Sequence, residues 1–184
     1  MQRQNRLPHP RTKILPNPDG AVTHLWTPWR SAYIQGKHAK DRCIFCEAAQ
    51  PNRDEENLVI YRGEACFAML NRYPYTSGHL MIAPYEHVAR LSLAKEATAM
   101  EIMRLTRRAE SVLQQVYQPD GLNLGMNLGE AAGAGIEQHI HMHVLPRWVG
   151  DANFMSTVAG TRVIPEALPD TYAKLKRAFS ELQP

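Results

Sequence analysis

No stretch of this 184-residue chain stays apolar for the roughly 18 residues that a membrane-crossing helix needs, and no charged-then-apolar leader opens it. A membrane partner is therefore not expected. Cysteine is scarce: there are three, and two of them stand together in Cys43-Ile44-Phe45-Cys46. So few thiols exclude a disulfide scaffold and suit a reducing, cytoplasmic setting, where the close pair reads as metal-binding, redox-active or simply buried. Positive charge in the body is also missing. The formal net charge is +3, and Arg3, Arg6, Arg11 and Lys13 against Asp19 account for it within the first twenty residues. A body without basic excess gives nucleic acid little to bind, so that partner is unlikely on charge grounds. No internal repeat or low-complexity tract is present. What remains, at 44% hydrophobic residues, is enough for one domain with a sizeable core.

Residues 1–23 carry Pro8, Pro10, Pro16 and Pro18 among scattered charges, with little apolar periodicity, and read as a mobile or partner-draped arm. Residues 24–184 read as a single domain. Trp26, Trp29 and Tyr33 are too aromatic for a free tail and are expected to pack on the body or on a second subunit. Strand signals follow at 58–61, 65–70 and 79–83, the first two separated by a hairpin at Gly63-Glu64. From about 94 to 117, Ile102, Leu105, Ala109, Val112, Leu113 and Val116 recur at helical spacing, and Pro119 and Gly121 end the helix. Leu122, Leu124, Met126 and Leu128 alternate with polar residues and glycine as a half-buried strand. A last helix is expected over about 170–182, with Tyr172, Leu175, Ala178, Phe179 and Leu182 inward. The order strands, helix, strands, helix predicts an α+β fold with a mainly antiparallel sheet, one long helix and a C-terminal helix.

The most informative run is His139-Ile140-His141-Met142-His143. As a strand it places three imidazoles on one face, neighbours roughly 7 Å apart and the outer pair roughly 13 Å. A straight strand cannot wrap all three around one ion whose bonds to nitrogen are about 2 Å, so the rings are expected to have different roles along a line. The plainer alternative is a solvated or structural strand face. Cys66, in an apolar strand, reads as core. Trp148 reads as packing or as a base contact, Arg147 as a phosphate contact or a surface pair, and Arg104, Arg107 and Arg108 as a solvated helix face.

The alternation from His139 to Leu145 resembles the signature of the histidine triad (HIT) superfamily. The Cys43/Cys46 pair, the run from Asn71 to Pro84 with Gly78-His79-Leu80-Met81-Ile82-Ala83-Pro84, and Asn127-Leu128-Gly129 follow in the superfamily's order. The runs around Trp26, Asn71-Arg72-Tyr73-Pro74-Tyr75, Pro146-Arg147-Trp148 and Val163-Ile164-Pro165 are most similar to the bacterial diadenosine tetraphosphate phosphorylase-like branch. One departure is the stretch 132–138, which lacks the hydroxyls many members carry there and leaves the acceptor, phosphate or water, open.

The resemblance implies an enzyme that cleaves adenylyl compounds, dinucleoside polyphosphates above all, through a covalent nucleotidyl-histidine. It assigns the nucleophile to His141, with its other ring nitrogen held by a backbone carbonyl, and places His143 beside the leaving oxygen. Asn71 and Asn127 are implied at the ribose and phosphates, with Gly129, Gly133, Ala134 and Gly135 as a backbone cradle. His79 is implied as a support of the triad, or else a satisfied core histidine. His139, the third catalytic candidate, doubles with Cys43, Cys46 and His87 as a Cys₂His₂ set for structural Zn²⁺, with no organic cofactor. A homodimer through the long helix and a sheet edge is implied as well. The alternatives are a nucleoside phosphoramidate hydrolase and, in another class, a zinc-stabilised nucleotide sensor without turnover.

Overall fold

A computed structural model describes residues 43–151 and 164–182. The expected N-terminal arm, Trp26, Trp29, Tyr33 and Val163 lie outside the described residues. The elements are α1 (Ile44–Ala49), β1 (Val59–Arg62), β2 (Cys66–Leu70), β3 (Leu80–Pro84), α2 (Glu96–Tyr117), β4 (Gly121–Gly125), β5 (Met142–Arg147) and α3 (Leu168–Glu181). Among the described residues five strands form one sheet in the order β1-β2-β3-β5-β4, every neighbouring pair antiparallel. The fold is α+β, as expected.

Every residue of β2 and β3 is buried, because both faces of the central sheet are covered. Successive side chains point to opposite faces. Cys66, Ala68, Leu70, Leu80, Ile82 and Val144 meet α2 and α3, which contribute Ile102, Leu105, Ala109, Val112, Leu113, Leu175 and Phe179. Phe67, Met69, Met81 and Ala83 point the other way, toward Phe45 and Ala48 of α1. Met81 is the register partner of His143, so β5 presents that histidine on the α1 face. The helical face buried by α2 matches the periodicity, and truncating a buried leucine on it costs about 2–5 kcal/mol.

Three details differ from the sequence reading. The ladder of β5 begins at Met142, and His139 lies in a bend before it, so the three histidines do not share one straight strand. The strand expected through Leu128 stops at Gly125. Leu124 and Leu128 are exposed, because among the described residues β4 is the edge of the sheet and pairs only with β5. Arg108 is not part of a solvated face: its guanidinium lies 4.2 Å over the Tyr61 ring and donates to the carbonyls of Phe179 and Leu182. It thereby satisfies the last carbonyls of α3, which have no partner within their own helix. Cys66 is core, its thiol pushed up to about 12 by burial.

Glu101 is a carboxylate only 5% exposed in the middle of the apolar face of α2. It accepts the N–H groups of Glu64, Ala65 and Cys66 in the turn between β1 and β2 and pairs with Arg104. Burial alone would raise its pKa, but these donors hold it below the ordinary carboxylate value. Gly63 is required beside it, since a Cβ there would lie 2.7 Å from Oε1 of Glu101. At the other end of α2, the Tyr117 hydroxyl donates to Glu166, which also accepts from Thr171 and Lys174 and so ties α2 to α3.

Candidate active site and metal cluster

His141 and His143 stand where β5 enters the sheet, at the edge of a cavity of about 230 Å³. Their ring centroids are 4.8 Å apart, closer than a straight strand would set them. Nδ1 of His141 lies 3.0 Å from the carbonyl oxygen of His139. A carbonyl only accepts, so Nδ1 carries the proton and Nε2 keeps its lone pair. The His141 ring packs at 4.6 Å on Phe45, which is fully buried.

The tautomer of His143 follows from a chain of donors. The Tyr75 N–H donates to Nδ1 of His79 (3.2 Å), which makes that nitrogen an acceptor. Nε2 of His79 is then the N–H, and it lies 2.9 Å from Nδ1 of His143. His143 must accept there, which leaves its Nε2–H as a donor to whatever occupies the cavity. The Asn71 amide also reaches Nδ1 of His79 at 3.3 Å, while its oxygen accepts the Tyr73 N–H at 2.9 Å. Gly78, at φ +76°, turns the chain into His79 with the Tyr117 ring directly behind it, where a side chain would not fit.

His139 does not line the cavity. Fully buried, it donates from Nε2 to the carbonyl of Pro84 (2.9 Å) and turns Nδ1 toward the Sγ of Cys43 (3.3 Å), the Sγ of Cys46 (3.7 Å) and Nδ1 of His87 (3.3 Å). Cys46 and His87 are 3.2 Å apart, and all four ligand atoms lie within 4.8 Å of one another. A tetrahedral ion with bonds of about 2.0–2.3 Å sets its donors roughly 3.3–3.8 Å apart, so the set fits such an ion. Burial, with Cys43 alongside, pushes the Cys46 thiol up to about 11. A thiol so placed becomes a thiolate ligand only with a cation beside it to offset the charge.

Of the other expected residues, Asn71, Asn127, Gly133, Gly135, His141 and His143 line the cavity, and Gly129 and Ala134 do not. The amides of Gly133 and Ala134 donate inside their own turn, to the carbonyls of Glu130 and Gly129. In this conformation those two cannot cradle a phosphate as expected. Arg147 pairs with Asp151 and Asn123 on the surface, and Trp148 packs edge-on against Tyr117. Sequence reasoning missed the apolar end of the cavity, built by Ile44, Phe45, Ala48, Met69 and Met81. An aromatic residue between two candidate metal ligands was the available signal for Phe45.

Burial holds the imidazoles uncharged. His79 is lowered to about 3 by burial and by His143 and His141 beside it, and His143 to about 4 by burial with His141 beside it. His141 is lowered by burial against the opposing pull of the His139 carbonyl. In the unfolded chain such groups bind protons near pH 6.5, while the folded protein resists them. Stability therefore falls as pH drops from about 6.5 toward 4, by about 1.4 kcal/mol per pH unit for each of His79 and His143. Thermal midpoints measured across that range should decline, and His79→Gln should flatten the decline. An equally steep decline in the variant would contradict the assignment.

Comparison with known proteins gives a consistent picture. The HIT domain pattern matches residues 52–149. The chain is 43% identical over 157 residues to AP-4-A phosphorylase of Mycobacterium tuberculosis, covering 82% of this chain and 80% of that protein. It is 25% identical over 129 residues to the bis(5'-adenosyl)-triphosphatase of Dictyostelium discoideum, covering 70% of this chain and 85% of that protein. Among solved structures, a Zn-bound histidine triad family protein from Mycobacterium smegmatis superposes with a TM-score of 0.61 at 26% identity, covering 78% of this chain and 96% of that one.

Proposed function

The chain belongs to the HIT domain family, and from that premise we propose that it is a nucleotidyl transferase or hydrolase that cleaves dinucleoside polyphosphates, diadenosine tetraphosphate foremost, through His141. The observation that carries this reading is the bond from Nδ1 of His141 to the His139 carbonyl, which leaves Nε2 unprotonated at the cavity edge. Nε2 attacks the α-phosphorus, an N–P bond forms, and the P–O bond to the departing nucleotide breaks. The Nε2–H of His143 donates to the oxygen that leaves with that bond's electron pair. Phosphate or water then attacks the same phosphorus from the vacated side, and the N–P pair returns to His141. To Asn71 we assign the ribose and to Asn127 the phosphates; both line the cavity, as do Gly133 and Gly135.

Zinc is the ion we assign to Cys43, Cys46, His87 and His139. With all four positions filled by protein it has a structural role, joining α1, the segment after β3 and the stretch entering β5. A homodimer is the assembly we assign. Met100 and Met103 stand exposed on α2, and β4, the edge strand among the described residues, carries exposed Leu124. No helix among the described residues is long and apolar enough to cross a membrane, and the free thiols suit the cytoplasm.

The test is product identification from diadenosine tetraphosphate, with and without inorganic phosphate. Adenosine diphosphate formed only with phosphate identifies a phosphorylase, and adenosine monophosphate regardless of phosphate a hydrolase. No cleavage, with turnover of an adenosine phosphoramidate instead, would move the assignment to that sister activity.

A further inference from the structure

We propose that Arg72 is the docking group for the departing polyphosphate chain and so selects substrates whose leaving group carries further phosphates. The inference rests on the function proposed above and adds what separates a dinucleoside polyphosphate from an adenosine phosphoramidate at this site.

The cavity is nearly bare of charge for a site that takes a polyanion. Among the described residues that line it, only Glu47 and Arg72 carry formal charge, because burial keeps His141 and His143 neutral. The two belong to different elements. Glu47 is on α1, with Phe45 and Ala48 of the apolar end, and Arg72 follows Asn71 on the connection between β2 and β3. Phosphates are repelled by the first and drawn to the second.

Arg72 is also held in place. One Nη donates to the carbonyl of Glu56 at 2.7 Å, which ties the guanidinium to the loop whose next residues, Asn57 and Leu58, line the cavity too. The carboxylate of Glu56 is taken by another residue: its two oxygens accept from Arg53, at 2.8 and 2.5 Å. Among the described residues Arg72 makes no ion pair. Its charge and its further N–H groups are therefore open to an anion, and a guanidinium fork matches phosphate oxygens two at a time.

Position gives the part of the substrate it meets. The Asn71 amide reaches Nδ1 of His79, and Nε2 of His79 lies 2.9 Å from Nδ1 of His143, the donor to the leaving oxygen. One connection thus carries both the residues that set this donor and the cation of the cavity. A chain departing past His143 runs to the Arg72 side, away from Glu47. A phosphoramidate releases only ammonia, which has no charge for Arg72 to hold.

The test assays wild type, Arg72→Ala and Arg72→Lys on diadenosine tetraphosphate and on adenosine 5'-phosphoramidate, and measures inhibition by inorganic tripolyphosphate. Losing one charge-assisted contact at an exposed position costs about tenfold in affinity. In Arg72→Ala, kcat/KM for the tetraphosphate should fall about tenfold and tripolyphosphate should inhibit about tenfold more weakly, while phosphoramidate turnover falls much less. Arg72→Lys, which keeps the charge and loses the fork, should recover part of the loss. Unchanged tetraphosphate cleavage in Arg72→Ala, equal losses on both substrates, or unaltered tripolyphosphate inhibition overturns the role of Arg72 and leaves the proposed function standing. Where wild type cleaves only the tetraphosphate, the inhibition decides. Wild type that cleaves neither substrate, or the phosphoramidate alone, overturns both.

Discussion

Replacing His141 with alanine should abolish cleavage of diadenosine tetraphosphate, by roughly 10⁴-fold or more in kcat, as when a covalent nucleophile is removed. The reason is specific to one nitrogen. His141 is the cavity residue whose Nδ1 is fixed by a carbonyl and whose Nε2 is therefore basic, while His139 gives both nitrogens to Pro84 and the cysteine-histidine cluster. His141→Asn is the better control for folding, because its amide N–H can still reach the His139 carbonyl and its bulk partly fills the space against Phe45. Both variants should keep the wild-type circular dichroism spectrum. Steady-state assays decide the matter, and turnover within tenfold of wild type in either variant would remove His141 from the role of nucleophile.

Removing the metal cluster should have the next largest effect. Elemental analysis should find about one zinc per chain, the stoichiometry of a closed four-ligand site, and Cys43→Ser should lose it. Because such a site forms only in the folded chain, metal affinity is folding energy, and the variant should melt on the order of 10 °C lower. Turnover should fall along with stability. Phe45 sits in the same short helix as Cys46 and touches both His139 and His141, so loosening α1 loosens the wall behind the nucleophile. Metal-free wild-type protein with unchanged melting behaviour would contradict a structural role.

The α2 and α3 helices were legible because their apolar residues recur at the period of one helical face. The strands were legible because β2 and β3 are short apolar runs bounded by turn residues. The candidate site was legible as residue types at spacings: alternating histidines, a close cysteine pair, asparagines beside glycine. What the sequence concealed depends on contacts between distant segments. That His139 turns away from His141 follows from the Pro84 carbonyl, 55 residues away. Glu101 reads as one more charge on a helix, and only the turn between β1 and β2 makes it a buried acceptor of three N–H groups. Arg108 looks like its exposed neighbours until α3 ends beside it. The glycine loop reads as a phosphate cradle because glycine permits that shape, but nothing local says that the amides of Gly133 and Ala134 close a turn instead.

The central claim is that the nucleotidyl group passes through His141, and the most direct measurement is to catch it there. The protein is mixed briefly with diadenosine tetraphosphate and quenched in alkali, where a phosphoramidate survives. It is then digested and mapped by mass spectrometry. An adenylyl group on His141, formed and consumed at rates that match turnover, is the predicted result. Turnover with no adduct at any residue, or an adduct on a different side chain, would contradict it.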